Sequence, residues 1–289
     1  MTNGWRYYNH ALLPTSAPHE SVDIKSLEDG SIWRMWDGRI PLLARWTSNW
    51  DCGRETEWWY CIKDSPFDID LIKSNYRYKI HKGERNFSVK RIDPMCFIDE
   101  ICEVQCKAYA EYDSKYRPSN ITRNKMVDGI KNNNRNGLVY YGAFGNIDCQ
   151  LYAFMIVKYG KNHAELLVQK ADPVAEKKQV NAALIYGVLK DMREMFNGEW
   201  YFFDGERNIN HETNFQNYLI KYFGFRRAYC KLNIKYRPIL YFGIKLLYPW
   251  RKIINRLDKY RYIHMLNSLL IMEDISRSFN KEKGFRNEC

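Results

Sequence analysis

Asp204, Glu206, Arg207, Asn208 and Asn210 follow directly on an aromatic run, residues 201–203, and Asn214 opens the amphipathic stretch behind them. Carboxylates beside amides and a cation at a strand end suit proton removal from an amine or hydroxyl, with Asp204 or Glu206 as the base. Asn214 can fix the loop or touch a ligand. In an open α/β sheet such a rim borders the substrate crevice. The plainer reading is a loop whose Asp and Asn residues satisfy turns and cap the next helix. His211, in the same loop, is a second candidate base, with an idle surface histidine as the plainer alternative.

A second cluster is cationic. Lys73, Arg77, Lys79, His81, Lys82 and Arg85 fall within thirteen residues. Arg77, His81 and Arg85 share one helical face and suit a phosphate of a carrier lipid, a nucleotide sugar or tRNA; the alternative is a solvated helix face. The formal net charge of +11 favours anionic partners but does not choose among nucleic acid, membrane and phosphorylated cofactor. Among the tryptophans, Trp46 and Trp50 are the candidates for stacking on a sugar, and the rest are expected to pack. The eight cysteines show no CxxC spacing and no neighbouring histidines, so no metal site is expected. Reduced thiols are expected.

Periodicity supplies the elements that must position these groups. Segments 31–36 and 40–46 flank Asp37-Gly38 and read as a hairpin. Segment 58–63 reads as a strand. Ser65 and Pro66 are expected to open a helix to about Glu84, followed by a strand at 87–92. Segment 94–112 has Phe97, Ile101, Val104 and Ala108 on one stripe and reads as a helix. Another is expected over 119–131, capped by Ser119 or Asn120. Strands at 138–144, 149–159 and 163–170 follow. A long helix runs from Asp172-Pro173 to about Phe196, then come a strand at 201–203, a helix at 214–223 and a strand at 229–236. Composition divides the chain into a strand-rich extension with a basic helix (1–85), an α/β domain (86–237) and a tail (238–289).

This order, from residue 86 to residue 236, resembles the GNAT superfamily of N-acyltransferases. Asn214, ten residues before Gly224-Phe225, matches the closing segment of many members. The segment 74–89 (SNYRYKIHKGERNFSV) looks like the FemAB branch, whose members transfer aminoacyl groups to peptidoglycan precursors or belong to related surface-polymer families. The resemblance implies an α/β fold of the α+β kind: a mixed central sheet flanked by helices, opening near its middle to admit an acyl donor. It also implies that residues 169–181, the loop and helix start after the fourth strand, hold that donor. This stretch, QKADPVAEKKQVN, has no glycine where the superfamily has a glycine-rich loop. Gln169, Lys170, Lys177 and Lys178 are left as the donor-binding candidates. The departure leaves acyl-CoA and aminoacyl-tRNA both open. Ile220 stands where many members carry an acidic tyrosine.

The tail, residues 240–257, mixes apolar and aromatic residues with lysine and arginine and reads as a helix pair broken at Pro249. Such a composition suits a helix lying in a membrane interface, or one packed on its own domain. The last dozen residues are expected to fray. The N-terminus does not read as a signal peptide, and no apolar run is long enough for a spanning helix. The sequence thus points to a cytoplasmic acyltransferase, peripheral at the inner face of the membrane. It would acylate or aminoacylate an amino or hydroxyl group of a sugar or peptide precursor, free or linked to a lipid carrier. A non-catalytic binding module of the same fold and a basic nucleic-acid-binding protein are the rivals.

Overall fold

Residues 4–34, 36, 38–112, 117, 122–209, 214–257 and 261–281 are described by a computed structural model. Strands β1 (Trp5–Tyr8) and β2 (Ala11–Pro14) come first, then a helical turn α1 (Lys25–Glu28) and strands β3 (Leu43–Ser48) and β4 (Trp58–Lys63). Helix α2 (Ser74–Asn86) runs into β5 (Phe87–Ile92), followed by helices α3 (Ile98–Ala110) and α4 (Arg123–Arg135). Next are β6 (Val139–Gly145), β7 (Leu151–Tyr159), β8 (His163–Ala171), a short turn α5 (Pro173–Glu176) and helix α6 (Val180–Asp191). The chain ends with β9 (Tyr201–Glu206), α7 (Asn214–Phe223), β10 (Arg226–Tyr236), α8 (Pro238–Leu247), α9 (Arg251–Asn255) and α10 (Arg261–Lys281). The mixed sheet flanked by helices that the sequence implied is present.

Contacts divide the chain into two compact units: Met1–Tyr60 with Glu206–Thr213 and Arg227–Cys289, and Cys61–Gly205 with Asn214–Arg226. These limits differ from the compositional breaks at 85 and 237.

In the larger unit the strand order is β9-β8-β7-β6-β5. The β5 to β8 pairs are antiparallel, and β8 with β9 is parallel. Alternation sends Tyr140, Phe154 and Ile156 to one face, where Ile101, Cys102 and Val104 of α3 and Met126 and Ile130 of α4 close the core. The other face carries α6. Seven of its twelve residues are buried, among them Val180, Leu184, Ile185 and Val188, as befits a helix covered on more than one side. Two glycines permit this. Gly187 lies where an added Cβ would be 2.5 Å from Val89, and Gly83 of α2 lies where one would be 2.7 Å from the Gln179 carbonyl.

In the smaller unit β1 pairs antiparallel with β2, β2 parallel with β3, and β3 antiparallel with β10. Trp5, Leu12, Leu27, Ile32, Trp36 and Ala44 form one core. On another, Ile244, Tyr248 and Leu270 of the tail pack with Leu43 and Tyr236.

Several expectations are corrected. Residues 31–34 form a 3-10 turn, not a strand. Ile32 and Trp36 are buried together and the Trp36 indole donates to the Ile32 carbonyl at 2.5 Å, so packing at helical spacing overrides their β-propensity. The helix expected from Ser65 begins only at Ser74, because the Ser65 hydroxyl accepts from the Lys63 ammonium at 2.8 Å instead of capping. The long helix from Asp172 breaks at Gln179, whose φ is +68°. Helix α4 is capped by Thr122. Helix α10 reaches into the stretch expected to fray, and the Arg54 guanidinium donates to the Phe279 carbonyl at 2.9 Å. Asp37, Ser119, Asn120, Asn210, His211 and Cys289 lie outside the described residues.

Candidate active site

The parallel pairing of β8 with β9 is short. It joins His163 to Tyr201, Ala164 to Phe202 and Glu165 to Phe203, and then stops. Strand β8 continues to Ala171, so the two strands part beyond Glu165 and leave backbone hydrogen-bonding groups outside the ladder. The β7–β8 register shifts at the same level: Ile156 faces Val168, whereas Val157 faces Leu166. Leu167 is therefore an extra residue, a bulge in the wall of the opening. Bulges free one residue from the ladder and commonly sit beside active sites.

Asp204 is the first residue of β9 past the last paired position. It is half-buried, and burial pushes its carboxyl up to about 7, against a smaller downward pull from a hydrogen bond with Gln216. Gln216 is itself buried on α7, and its Nε2 lies 3.5 Å from the Asp204 carbonyl. Helix α7 is fixed by Leu219 and Phe223, both fully buried, and ends at Gly224, whose φ is +66°. Phe225 then packs edge-on against Phe202 at 5.9 Å. Asn214 is the exposed first residue of α7. His163 lies flat against Tyr201 at 5.8 Å, on the paired side of the opening.

The wall on the β8 side leads to the start of α6. Gln169 Nε2 donates to Asn181 Oδ1 at 2.9 Å, while Gln169 Oε1 is buried without a hydrogen-bond partner among the described residues. Gln179 adopts the left-handed conformation that a glycine would adopt at less cost. Lys177 and Lys178 are exposed just before it. Lys170 is drawn away, donating to the Tyr112 hydroxyl at 2.6 Å and lying over the Tyr109 and Tyr112 rings.

The remaining candidates are held in other contacts. In the smaller unit Glu206 is ion-paired with Arg45 and Arg207 with Glu57; Asn208 is exposed. Trp46 meets Trp5 edge-on at 6.2 Å, within the packing of that unit's core. A polar groove of about 470 Å³ there is lined by Glu55, Glu57, Trp59, Arg207, Arg227 and Tyr229. On α2, Arg77 pairs with Asp70 at 3.2 Å and His81 with Glu84 at 3.2 Å, and Arg85 stands 5.9 Å from the Tyr78 ring. Gln216 and Leu167 were not among the residues singled out from sequence. Gln216 had a signal, a polar residue in the apolar stripe of Leu219 and Phe223. The bulge at Leu167 had none.

No protein-family model matches the chain, and no curated protein matches its sequence. Solved structures do match. L-PGS from Bacillus licheniformis superposes with a TM-score of 0.53 at 12% identity, over 94% of this chain and 85% of that one. FemX gives 0.48 at 9% identity, over 64% of this chain and 63% of that one. The PaiA N-acetyltransferase from Thermoplasma acidophilum, in complex with coenzyme A, gives 0.30 at 23% identity, over 37% of this chain and 73% of that one. The chain thus shares its fold with L-PGS from Bacillus licheniformis.

Proposed function

We propose that the chain is an acyl- or aminoacyltransferase that admits the donor's carbonyl between β8 and β9 and uses Asp204 as the general base. One observation carries this reading: the β8–β9 ladder ends at Phe203, and the next residue is a carboxyl pushed up to about 7. A base of that affinity is divided between its two forms near neutrality, where proton transfer is most effective. The acceptor is an amino or hydroxyl group of a sugar or of a peptidoglycan or surface-polysaccharide precursor. Asp204 takes the proton as the acceptor attacks the carbonyl carbon. The bulge at Leu167 offers a backbone N–H to the oxyanion that develops. Collapse of the tetrahedral intermediate breaks the thioester or ester bond, and the departing thiolate or alkoxide takes its proton from the Asp204 carboxyl, which returns to the carboxylate.

The start of α6 is the place for the donor's phosphates, with Lys177 and Lys178 beside free N–H groups of the first turn. Gln169 aims an unpartnered carbonyl oxygen into the same wall and suits a donor N–H. Acyl-CoA and aminoacyl-tRNA both supply the carbonyl and the phosphates, and both are cytoplasmic donors. The glycine-free turn at Gln179 supports a second reading, a binding module that no longer transfers.

The test offers acyl-CoAs and aminoacyl-tRNAs with amine and hydroxyl acceptors to the purified chain. Transfer should rise with pH and level off above about 7, following the Asp204 carboxylate. Asp204→Asn should lower kcat/KM by about 10²–10⁴-fold and remove the rising limb. Wild-type turnover in that variant would remove Asp204 as the base. Donor binding without any transfer would establish the binding module.

A further inference from the structure

We propose that α8, the turn at Tyr248–Trp250 and α9 form a face that seats the protein in the headgroup layer of an anionic lipid bilayer. Ile239, Phe242, Leu246, Trp250, Ile253 and Leu257 succeed one another at steps of three and four residues, and each is between 50% and 85% exposed. Ile239, Phe242 and Leu246 are exposed on α8, Trp250 in the turn, Ile253 on α9 and Leu257 just after it. Ile244, Leu247 and Tyr248 of the same segment already pack on Leu43, Tyr236 and Leu270. The segment is therefore apolar on two sides, and only one side is covered. So many exposed large apolar side chains on adjoining helical turns mark a surface meant for a non-aqueous partner.

Charge selects the partner. From Arg237 to Leu257 there are five basic residues, Arg237, Lys245, Arg251, Lys252 and Arg256, and no Asp or Glu. Lys245, Lys252 and Arg256 are exposed. Arg251 is shared with Asp274 at 3.3 Å. Two copies joined through this face would bring like charges together, whereas anionic headgroups neutralise them. Tyr241 and Trp250, 48% and 60% exposed, are the side-chain types that settle at headgroup level. Among the described residues no helix is long and apolar enough to cross a membrane, so the contact is one of lying on the surface. The proposal is independent of the transfer reaction, since it needs no donor.

The full chain is sedimented with phosphatidylcholine vesicles, with and without phosphatidylglycerol, at low and high salt. Binding is expected to the anionic vesicles and to weaken with salt. The double variant Phe242→Glu, Leu246→Glu removes two side chains from the acyl boundary and should weaken binding by about a hundredfold or more. Its melting temperature should be unchanged, because both side chains are exposed. Lys245→Glu with Lys252→Glu should erase the preference for phosphatidylglycerol. The proposal is overturned if wild type ignores anionic vesicles, or if the Phe242–Leu246 variant binds them as tightly. It is also overturned if wild type is a dimer that this variant makes monomeric while neither binds vesicles, which would assign the face to a second copy.

Discussion

Asp204 and Glu206 are equivalent in the sequence, two carboxylates at one strand end. Their surroundings separate them. Glu206 meets Arg45, 161 residues earlier in the chain, and no local pattern announces that partner. Among the described residues no cation pairs with Asp204; burial pushes its carboxyl from 3.8 to about 7. Between those values the folded chain keeps a proton that the unfolded chain releases. The cost of burying the charge is absent below about pH 4, grows as pH rises, and is complete above about 7. A rise of about three pH units corresponds to at most about 4 kcal/mol. Asp204→Asn removes the titration, so it should barely change the melting temperature near pH 4 and stabilise the protein progressively toward pH 8. Thermal melts of both proteins across that range give the answer; a difference that does not vary with pH would mean that Asp204 does not titrate there. The same residue would thus be a liability to the fold and an asset to the reaction. What was legible was a polar rim. What was not was the point at which β8 and β9 part, because a strand's partner is set by chain far away in sequence.

At the scale of elements, apolar runs and helical stripes announced β5, β6, β8 and α7 to within a residue, whereas β9 runs three residues past the expected 201–203 and α3 starts four residues after the expected 94. The failures have specific causes. The break between α5 and α6 comes from a left-handed Gln179, and glutamine gives no warning of positive φ. At that break Gly83 of α2 lies against the start of α6. A methyl group on Gly83 would stand 2.7 Å from the Gln179 carbonyl oxygen and 3.0 Å from the Ala183 nitrogen, both backbone atoms. Neither can move without shifting the first turn of α6. Gly83→Ala should therefore destabilise the protein by about 1–3 kcal/mol in denaturant unfolding, despite alanine's higher helix propensity. Gly129→Ala is the control. Gly129 sits in α4 with open space at its Cβ, and the change should be neutral or stabilising by up to about 1 kcal/mol. Equal effects at the two positions would mean that α2 and α6 do not touch as described.

At the scale of the molecule, the shift in composition at Pro238 marks a change of element rather than the end of a core. Strand β10 pairs with β3, aligning Tyr236 with Leu43. The tail then places Ile244, Tyr248 and Leu270 over these same two residues. Chain ends joined by a common core cannot be read from local windows, because the pairs that matter are almost two hundred residues apart. Two positions on α8 separate the tail's roles. Ile244 is 2% exposed and faces the core, whereas Phe242, 70% exposed, faces out. Ile244→Ala leaves a cavity that Leu43 and Tyr236 on their strands cannot collapse to fill, and should cost about 2–4 kcal/mol. Phe242→Glu should cost less than about 0.5 kcal/mol. Denaturant midpoints measured without lipid test both. If Ile244→Ala were as benign as Phe242→Glu, the tail would not be built into the core formed by β3 and β10. A large loss at Ile244 alone would show one helix holding the fold with its inner face while leaving its outer face for a partner.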